Sequence, residues 1–196
     1  MANHNPEYIT SSTVKRLLGG RGDKLIKGGR TFARQLARER FGVVDEESSF
    51  KGNYATEHGN QYEPEALARY QQETFTEVHS MQKVVTKGWL SCTPDGLIGD
   101  DIITEVKCPF DTDNHMSNLL EQAFVKDYEA QCRFQMMLTE RPLCHLISYD
   151  PRWPEPYDIT WVELERDKEW EAFCMNRIDQ AEAIISKTLK QLEELA

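Results

Sequence analysis

Apolar residues fall at helical spacing toward both ends of the chain and in short runs through its middle. Residues 10–18 (TSSTVKRLL) read as a short helix begun by Thr10, Ser11 or Ser12, since a hydroxyl there satisfies a free backbone N–H. Gly19-Gly20-Arg21-Gly22 then forces a turn. A basic helix follows over 29–41, with Phe32, Ala33 and Leu36 along one side. From Asn60 to Gln72 the residues Tyr62, Ala66, Leu67 and Tyr70 recur at helical spacing, and Pro64 belongs in the first turn of that helix.

Residues 75–80 and 83–92 are short strand candidates. Pro94–Ile98 and Ile102–Cys108 are two apolar runs across Gly99-Asp100-Asp101, which is a hairpin signal. A helix is expected over about 115–139, ending before Arg141-Pro142, followed by strands at 143–149 and 157–165. A long amphipathic helix starts at Arg166 and carries Trp170, Phe173, Ile178, Ile184, Leu189 and Leu192. Helices, a group of strands, a helix, two more strands and a final helix make a mixed α/β or α+β domain.

No repeat, low-complexity tract or long linker divides the 196 residues, so a single domain over 1–196 is expected. No apolar run reaches membrane-spanning length, and the first residues (MANHNPEYIT) lack a signal-peptide pattern; the expectation is a cytoplasmic protein with no membrane partner. Five scattered cysteines without a CxxC pair argue against a disulfide framework, a structural zinc or an iron–sulfur cluster. The net charge of −10 argues at first against nucleic acid, but its distribution is uneven. Residues 1–42 hold nine Lys or Arg against three acids, a local +6 that leaves −16 on the rest. A basic contact surface on an acidic body has this pattern, and so does a solvated basic helix.

Chemistry concentrates in Thr93-Pro94-Asp95 and, after nine intervening residues, Glu105-Val106-Lys107. Strand side chains alternate faces, so Glu105 and Lys107 project together while Val106 turns into the core. The hairpin brings Asp95 beside Glu105, and two neighbouring carboxylates repel unless a cation sits between them. A hard divalent ion such as magnesium meets that need, with the Val106 carbonyl as a further ligand and Glu63 on the preceding helix as a third carboxylate. Lys107 beside them is placed to orient or deprotonate a water and to stabilise charge on a phosphate. Taken singly, an E-x-K is also a solvated strand face and a P-D-G also a plain turn.

The runs Cys92-Thr93-Pro94-Asp95-Gly96-Leu97 and Thr104-Glu105-Val106-Lys107-Cys108-Pro109-Phe110 resemble the core of the phage lambda exonuclease / YqaJ-type viral recombinase family. Gly59-Asn60-Gln61-Tyr62-Glu63 upstream is similar to that family's G-x-Q-Y-E helix. Ala130-Gln131, Tyr149-Asp150-Pro151-Arg152 and Glu165-Arg166-Asp167 follow in the family's order, so the likeness spans roughly 9–190.

The resemblance implies a PD-(D/E)xK, restriction-endonuclease-like core with a central mixed sheet flanked by helices. It implies that Asp95, Glu105, the Val106 carbonyl and Glu63 hold magnesium, with manganese as a possible substitute. Lys107 becomes the catalytic lysine, and Gln131 positions it or the attacking water. The implied activity is 5′-to-3′ degradation of one strand of linear duplex DNA by a ring-shaped homotrimer, feeding a single-strand annealing protein in a phage- or prophage-bearing bacterial cell. Ser12 and Thr93 match hydroxyls of the family's 5′-phosphate pocket, although Ser12 is also a helix cap and Thr93 a turn residue. The pocket's arginine position is Asn5 here, leaving Arg16, Arg21, Lys24 or Arg30 to replace it and to contact DNA within the basic segment of about 1–42. A structure- or sequence-specific endonuclease of the same fold, or a non-catalytic DNA-binding recombination protein, are the competing readings.

Overall fold

The structure is a computed structural model that describes residues 7–20, 22–43, 54–79 and 82–195. Arg21 and Asn5 lie outside the described residues. The chain divides into two compact units, one built from Phe50–Val85 and Cys92–Arg166, the other from Ala2–Ser49, Thr86–Ser91 and Asp167–Ala196.

The first unit is organised by a four-stranded sheet, β4(Gly96–Ile98), β5(Ile102–Lys107), β6(Leu143–Tyr149) and β7(Ile159–Glu165), which lie side by side in that order. β4 and β5 form the expected antiparallel hairpin, β5 pairs parallel with β6, and β6 pairs antiparallel with β7. A parallel neighbour requires a crossover connection. Two helices make it, α3(Thr112–Glu121) and α4(Phe124–Thr139), where the sequence pattern suggests one. The break falls at Gln122, which adopts a left-handed conformation (φ 53°) and ends α3 with its N–H on the Asn118 carbonyl.

The two faces of β5 have different covers. Ile103 packs with Cys144, Leu146 and the α4 residues Phe124, Cys132 and Met136. Val106 packs with Ile147, Tyr149 and the residues Ala66, Leu67 and Tyr70 of α2(Tyr54–Thr74). α2 begins upstream of the expected Asn60, so Pro64 stands inside the helix rather than in its first turn. Pro64 is exposed there. The expected strand at 75–80 reduces to one bridge, His79 to Leu97, on the free edge of β4.

The second unit holds β1(Ile9–Thr10), β2(Val85–Lys87) and β3(Leu90–Cys92), with β3 in the middle and β1 parallel to it. Pairing of Ile9 and Thr10 with β3 takes Thr10 out of the expected helix at 10–18, of which only a 3-10 turn at Val14–Arg16 remains. The basic helix is α1(Lys27–Arg40), with Phe32, Ala33 and Leu36 buried as expected. It packs against α5(Lys168–Glu193), whose first turn is capped by the Asp167 carboxylate accepting from the N–H groups of Glu169 and Trp170. Arg177 of α5 is fully buried with no carboxylate partner among the described residues; it donates to the carbonyls of Gly22 and Lys24 and so fastens the chain at 22–24. All five cysteines are buried free thiols.

Candidate active site

Asp95 and Glu105 meet because Asp95 directly precedes Gly96, whose antiparallel partner Thr104 directly precedes Glu105. The Asp95 N–H bonds the Thr104 carbonyl at 3.0 Å, and Asp95 Oδ2 accepts the Val106 N–H at 2.6 Å. Gly96 permits this approach, since a Cβ there would stand 2.2 Å from Val78 Cγ1 and 2.8 Å from Thr104 Oγ1. Among the described residues Asp95 Oδ1 has no hydrogen-bond donor and is open to another partner.

Glu105 and Lys107 continue the Ile103 face of β5, the face covered by α4. The Glu105 side chain is 3% exposed and accepts three hydrogen bonds. Lys107 Nζ donates to Oε1 at 2.5 Å, Gln131 Nε2 to the same oxygen at 2.6 Å, and Gln135 Nε2 to Oε2 at 2.7 Å. Lys107 Nζ also lies 4.4 Å from the centre of the Tyr128 ring. Tyr128, Gln131 and Gln135 recur at helical spacing, so α4 turns one polar stripe toward the strand.

The electrostatics follow from this crowding. Burial raises the Asp95 carboxyl well above its ordinary range, and the negative charges of Glu105 and then Glu63 add to the rise; Lys107 and the Val106 N–H oppose it. Burial works against the Lys107 charge, but Glu105 and Asp95 outweigh it and hold the ammonium above its ordinary value. Two hard carboxylates that remain mutually repulsive beside one lysine are a donor set suited to a divalent cation.

Glu63 stands on α2, the helix on the other side of the sheet, where its Oε1 accepts from Gln82 at 2.8 Å. Among the described residues no three His, Cys, Asp or Glu side chains form one ready metal-binding group. The structure therefore brings together Asp95, Glu105, Lys107 and Gln131, with Glu63 near enough to act on Asp95 by charge. Sequence reasoning missed Gln135 and Tyr128. Their signal was the polar and aromatic spacing one turn either side of Gln131.

The remaining candidates have local roles. Ser12 is exposed with its hydroxyl 3.1 Å from that of Thr10, and Thr93 is half-buried. Arg16 bonds Gln35 at 2.9 Å and lies 4.0 Å from the Phe32 ring centre. Arg30 donates to the Leu25 carbonyl, and Lys24 is exposed.

The Tyr149-Asp150-Pro151-Arg152 run forms a clamp. Asp150 is fully buried, and Arg152 grips both its oxygens, Nε to Oδ1 at 2.7 Å and Nη2 to Oδ2 at 2.8 Å. The same guanidinium donates to the carbonyls of Pro109 and Phe110, each at 3.0 Å, and thereby fastens the chain just after Lys107.

The chain was compared with known proteins. No curated protein matches it. Among solved structures it is similar to the alkaline exonuclease LHK-Exo from Laribacter hongkongensis, with 27% identity and a TM-score of 0.79 over 97% of this chain and 95% of that one. The same enzyme in complex with dAMP gives a TM-score of 0.78. A phage-related exonuclease from Haemophilus somnus 129PT shares the fold, with a TM-score of 0.82 at 17% identity over 94% of this chain and 96% of that one. The YqaJ-like viral recombinase domain matches residues 3–142, so the chain belongs to that family.

Proposed function

We propose that the chain is a magnesium-dependent 5′-to-3′ exonuclease that acts on the ends of linear double-stranded DNA and leaves a 3′ single strand for recombination by strand annealing. The observation that carries this reading is Asp95, Glu105 and Lys107 converging at one end of a hairpin, with Glu105 braced by Gln131 and Gln135. Family membership and the 27% identical alkaline exonuclease agree with it. Asp95, Glu105 and the Val106 carbonyl would hold magnesium, or manganese in its place, with Glu63 joining from α2. When bound, such an ion neutralises phosphate charge and eases attack by water on phosphorus.

The chain's own residues do the rest. Lys107, kept charged by Glu105, puts a positive group beside the oxygens that gain charge. Tyr128 narrows the positions open to that lysine. Gln131 and Gln135 hold Glu105 from opposite oxygens, so its orientation does not depend on the substrate. In this reading 1–196 is one nuclease domain, with its basic segment of about 1–42, including Arg16, Arg21, Lys24 and Arg30, as the DNA-contacting part. Ser12 and Thr93 would meet the terminal phosphate. A homotrimer ring would thread the duplex, and a single-strand annealing protein would receive the product within the cytoplasm of a bacterial cell carrying the phage or prophage.

The test is digestion of strand-labelled linear duplexes, with 5′-phosphate or 5′-hydroxyl ends, and of a closed circle. Magnesium should support loss of the 5′-ended strand from linear DNA alone, and EDTA should stop it. Glu105→Gln should lower the rate by about 100-fold or more with an unchanged circular dichroism spectrum. Cleavage of the circle would reassign the chain as an endonuclease, and full activity of the variant would refute the site.

A further inference from the structure

In the helical unit α1 and α5 enclose a groove of about 520 Å³, lined by Arg30 and Arg34 from one helix and by Ile184, Lys187, Thr188 and Gln191 from the other. The spacing accounts for it. Arg30 and Arg34 are one turn apart, and positions 184, 187, 188 and 191 share one face of α5. Three of the six lining residues are cations and none is a carboxylate, in a chain whose net charge is −10.

The charges at the groove are not spent within the protein. Neither Arg34 nor Lys187 has a hydrogen bond or ion pair among the described residues. Arg30 uses Nη1 on the Leu25 carbonyl, which fixes the guanidinium but leaves its charge without a counter-ion among the described residues. Glu39 of α1 accepts from Gln35, and Glu194, just beyond α5, lies 3.9 Å from Lys190. Lys27, exposed one turn before Arg30, extends the basic face. Three uncompensated cations repel one another, and a bound polyanion removes that repulsion.

We infer that this groove binds the phosphate backbone of DNA, as a contact separate from the carboxylate site. The inference rests on the proposed nuclease reading for its choice of polyanion. The mixture of residues suits a backbone rather than base recognition: two guanidiniums and an ammonium for phosphates, the Gln191 amide for a sugar or phosphate oxygen, and Ile184 as an apolar floor. Thr188 gives its hydroxyl hydrogen to the Ile184 carbonyl, so that side chain only accepts. A DNA contact made by such point charges is insensitive to sequence and strongly dependent on salt.

The test measures binding in EDTA, where no cleavage occurs, using fluorescein-labelled duplex and single-stranded oligonucleotides at several salt concentrations. The full chain is compared with the double variant Arg34→Ala, Lys187→Ala and with the charge-keeping pair Arg34→Lys, Lys187→Arg. Loss of two phosphate contacts should weaken binding by at least about 10-fold at 0.1 M salt and reduce the log–log salt slope by about 1.8 for duplex or about 1.4 for single strands. The charge-keeping pair should bind like the parent. In magnesium the alanine variant should keep its kcat at saturating DNA while KM rises.

An alanine variant that matches the parent in affinity and salt slope overturns the inference and leaves the groove to another polyanion, such as an acidic peptide. A loss of affinity with an unchanged slope also overturns it, as the signature of altered structure. Neither result bears on Asp95 and Glu105, whose role is read by cleavage.

Discussion

Replacing Arg152 by alanine tests whether the buried Asp150 clamp holds the exit of the strand that carries Glu105 and Lys107. Asp150 has no exposed side-chain surface, and Arg152 supplies one donor to each of its oxygens. Removing one partner of a buried ion pair costs about 3–5 kcal/mol. Two features reduce that. The backbone N–H of residue 152 still donates to Asp150 Oδ1 at 3.0 Å, and the Arg152 side chain is 46% exposed, so water reaches part of the vacated space. About 2–3 kcal/mol remains, equivalent to a fall of about 1 M in the urea midpoint for a domain of this size.

The pH dependence gives a second, sharper check. Burial alone would raise the Asp150 carboxyl, but the bonds from Arg152 and Thr112 overcome it and hold the group below its ordinary range. In the parent this stabilisation is present above the unfolded value near ~3.9 and disappears as pH falls through the lower folded value. In the variant burial dominates and the folded value lies above ordinary. The variant's deficit should therefore be largest at neutral pH and shrink as pH falls through that raised value. Urea melts followed by far-ultraviolet circular dichroism at pH 7 and pH 4.5 measure both. A deficit under about 0.5 kcal/mol at pH 7, the scale of an ordinary surface substitution, or one that grows toward acid pH, would refute the reasoning.

Other substitutions test other links. Gly96→Ala forces a Cβ against Val78 and Thr104 and should cost about 1–3 kcal/mol in a thermal melt, with loss of activity as Asp95 shifts. Gln135→Leu removes the donor to Glu105 Oε2 but also removes a buried carbonyl oxygen that has no donor, so its stability cost in urea should stay near ~1 kcal/mol while kcat falls. Arg177→Met takes the donor from the Gly22 and Lys24 carbonyls, and limited proteolysis should cut near residues 22–25 faster than in the parent. Asp167→Ala, by removing the α5 cap, should lower stability by about 1 kcal/mol on the same urea assay.

The sequence made the hairpin and its chemistry legible because both depend on local rules. Alternation puts Glu105 with Lys107, and the Gly99 turn pairs Pro94–Ile98 with the next strand. Both are interactions between near neighbours. What it did not disclose came from distance. Gln122 carries no turn signal comparable to glycine, so the α3–α4 break was hidden within a continuous helical pattern. The strand at Ile9–Thr10 exists because β3 is there to pair with it, and local capping residues pointed instead to a helix. Glu63 was legible as an acid on a helix, but its place on the α2 side of the sheet, bonded to Gln82, follows from packing alone. Gln135 was hidden because a glutamine on a helix ordinarily faces solvent, and only the buried Glu105 explains why this one is wholly enclosed.

The parallel pairing of β5 with β6 has a consequence during translation. Asp95, Glu105 and Lys107 leave the ribosome before β6 does, in a hairpin that still lacks its inner neighbour. Gln131 and Gln135 emerge later, and the strand that locks β5 from the other side later still, at Leu143–Tyr149. A ribosome stalled before that point releases a chain whose carboxylates have no fixed orientation. Partial products would thus lack the braced carboxylate and lysine on which the proposed hydrolysis depends.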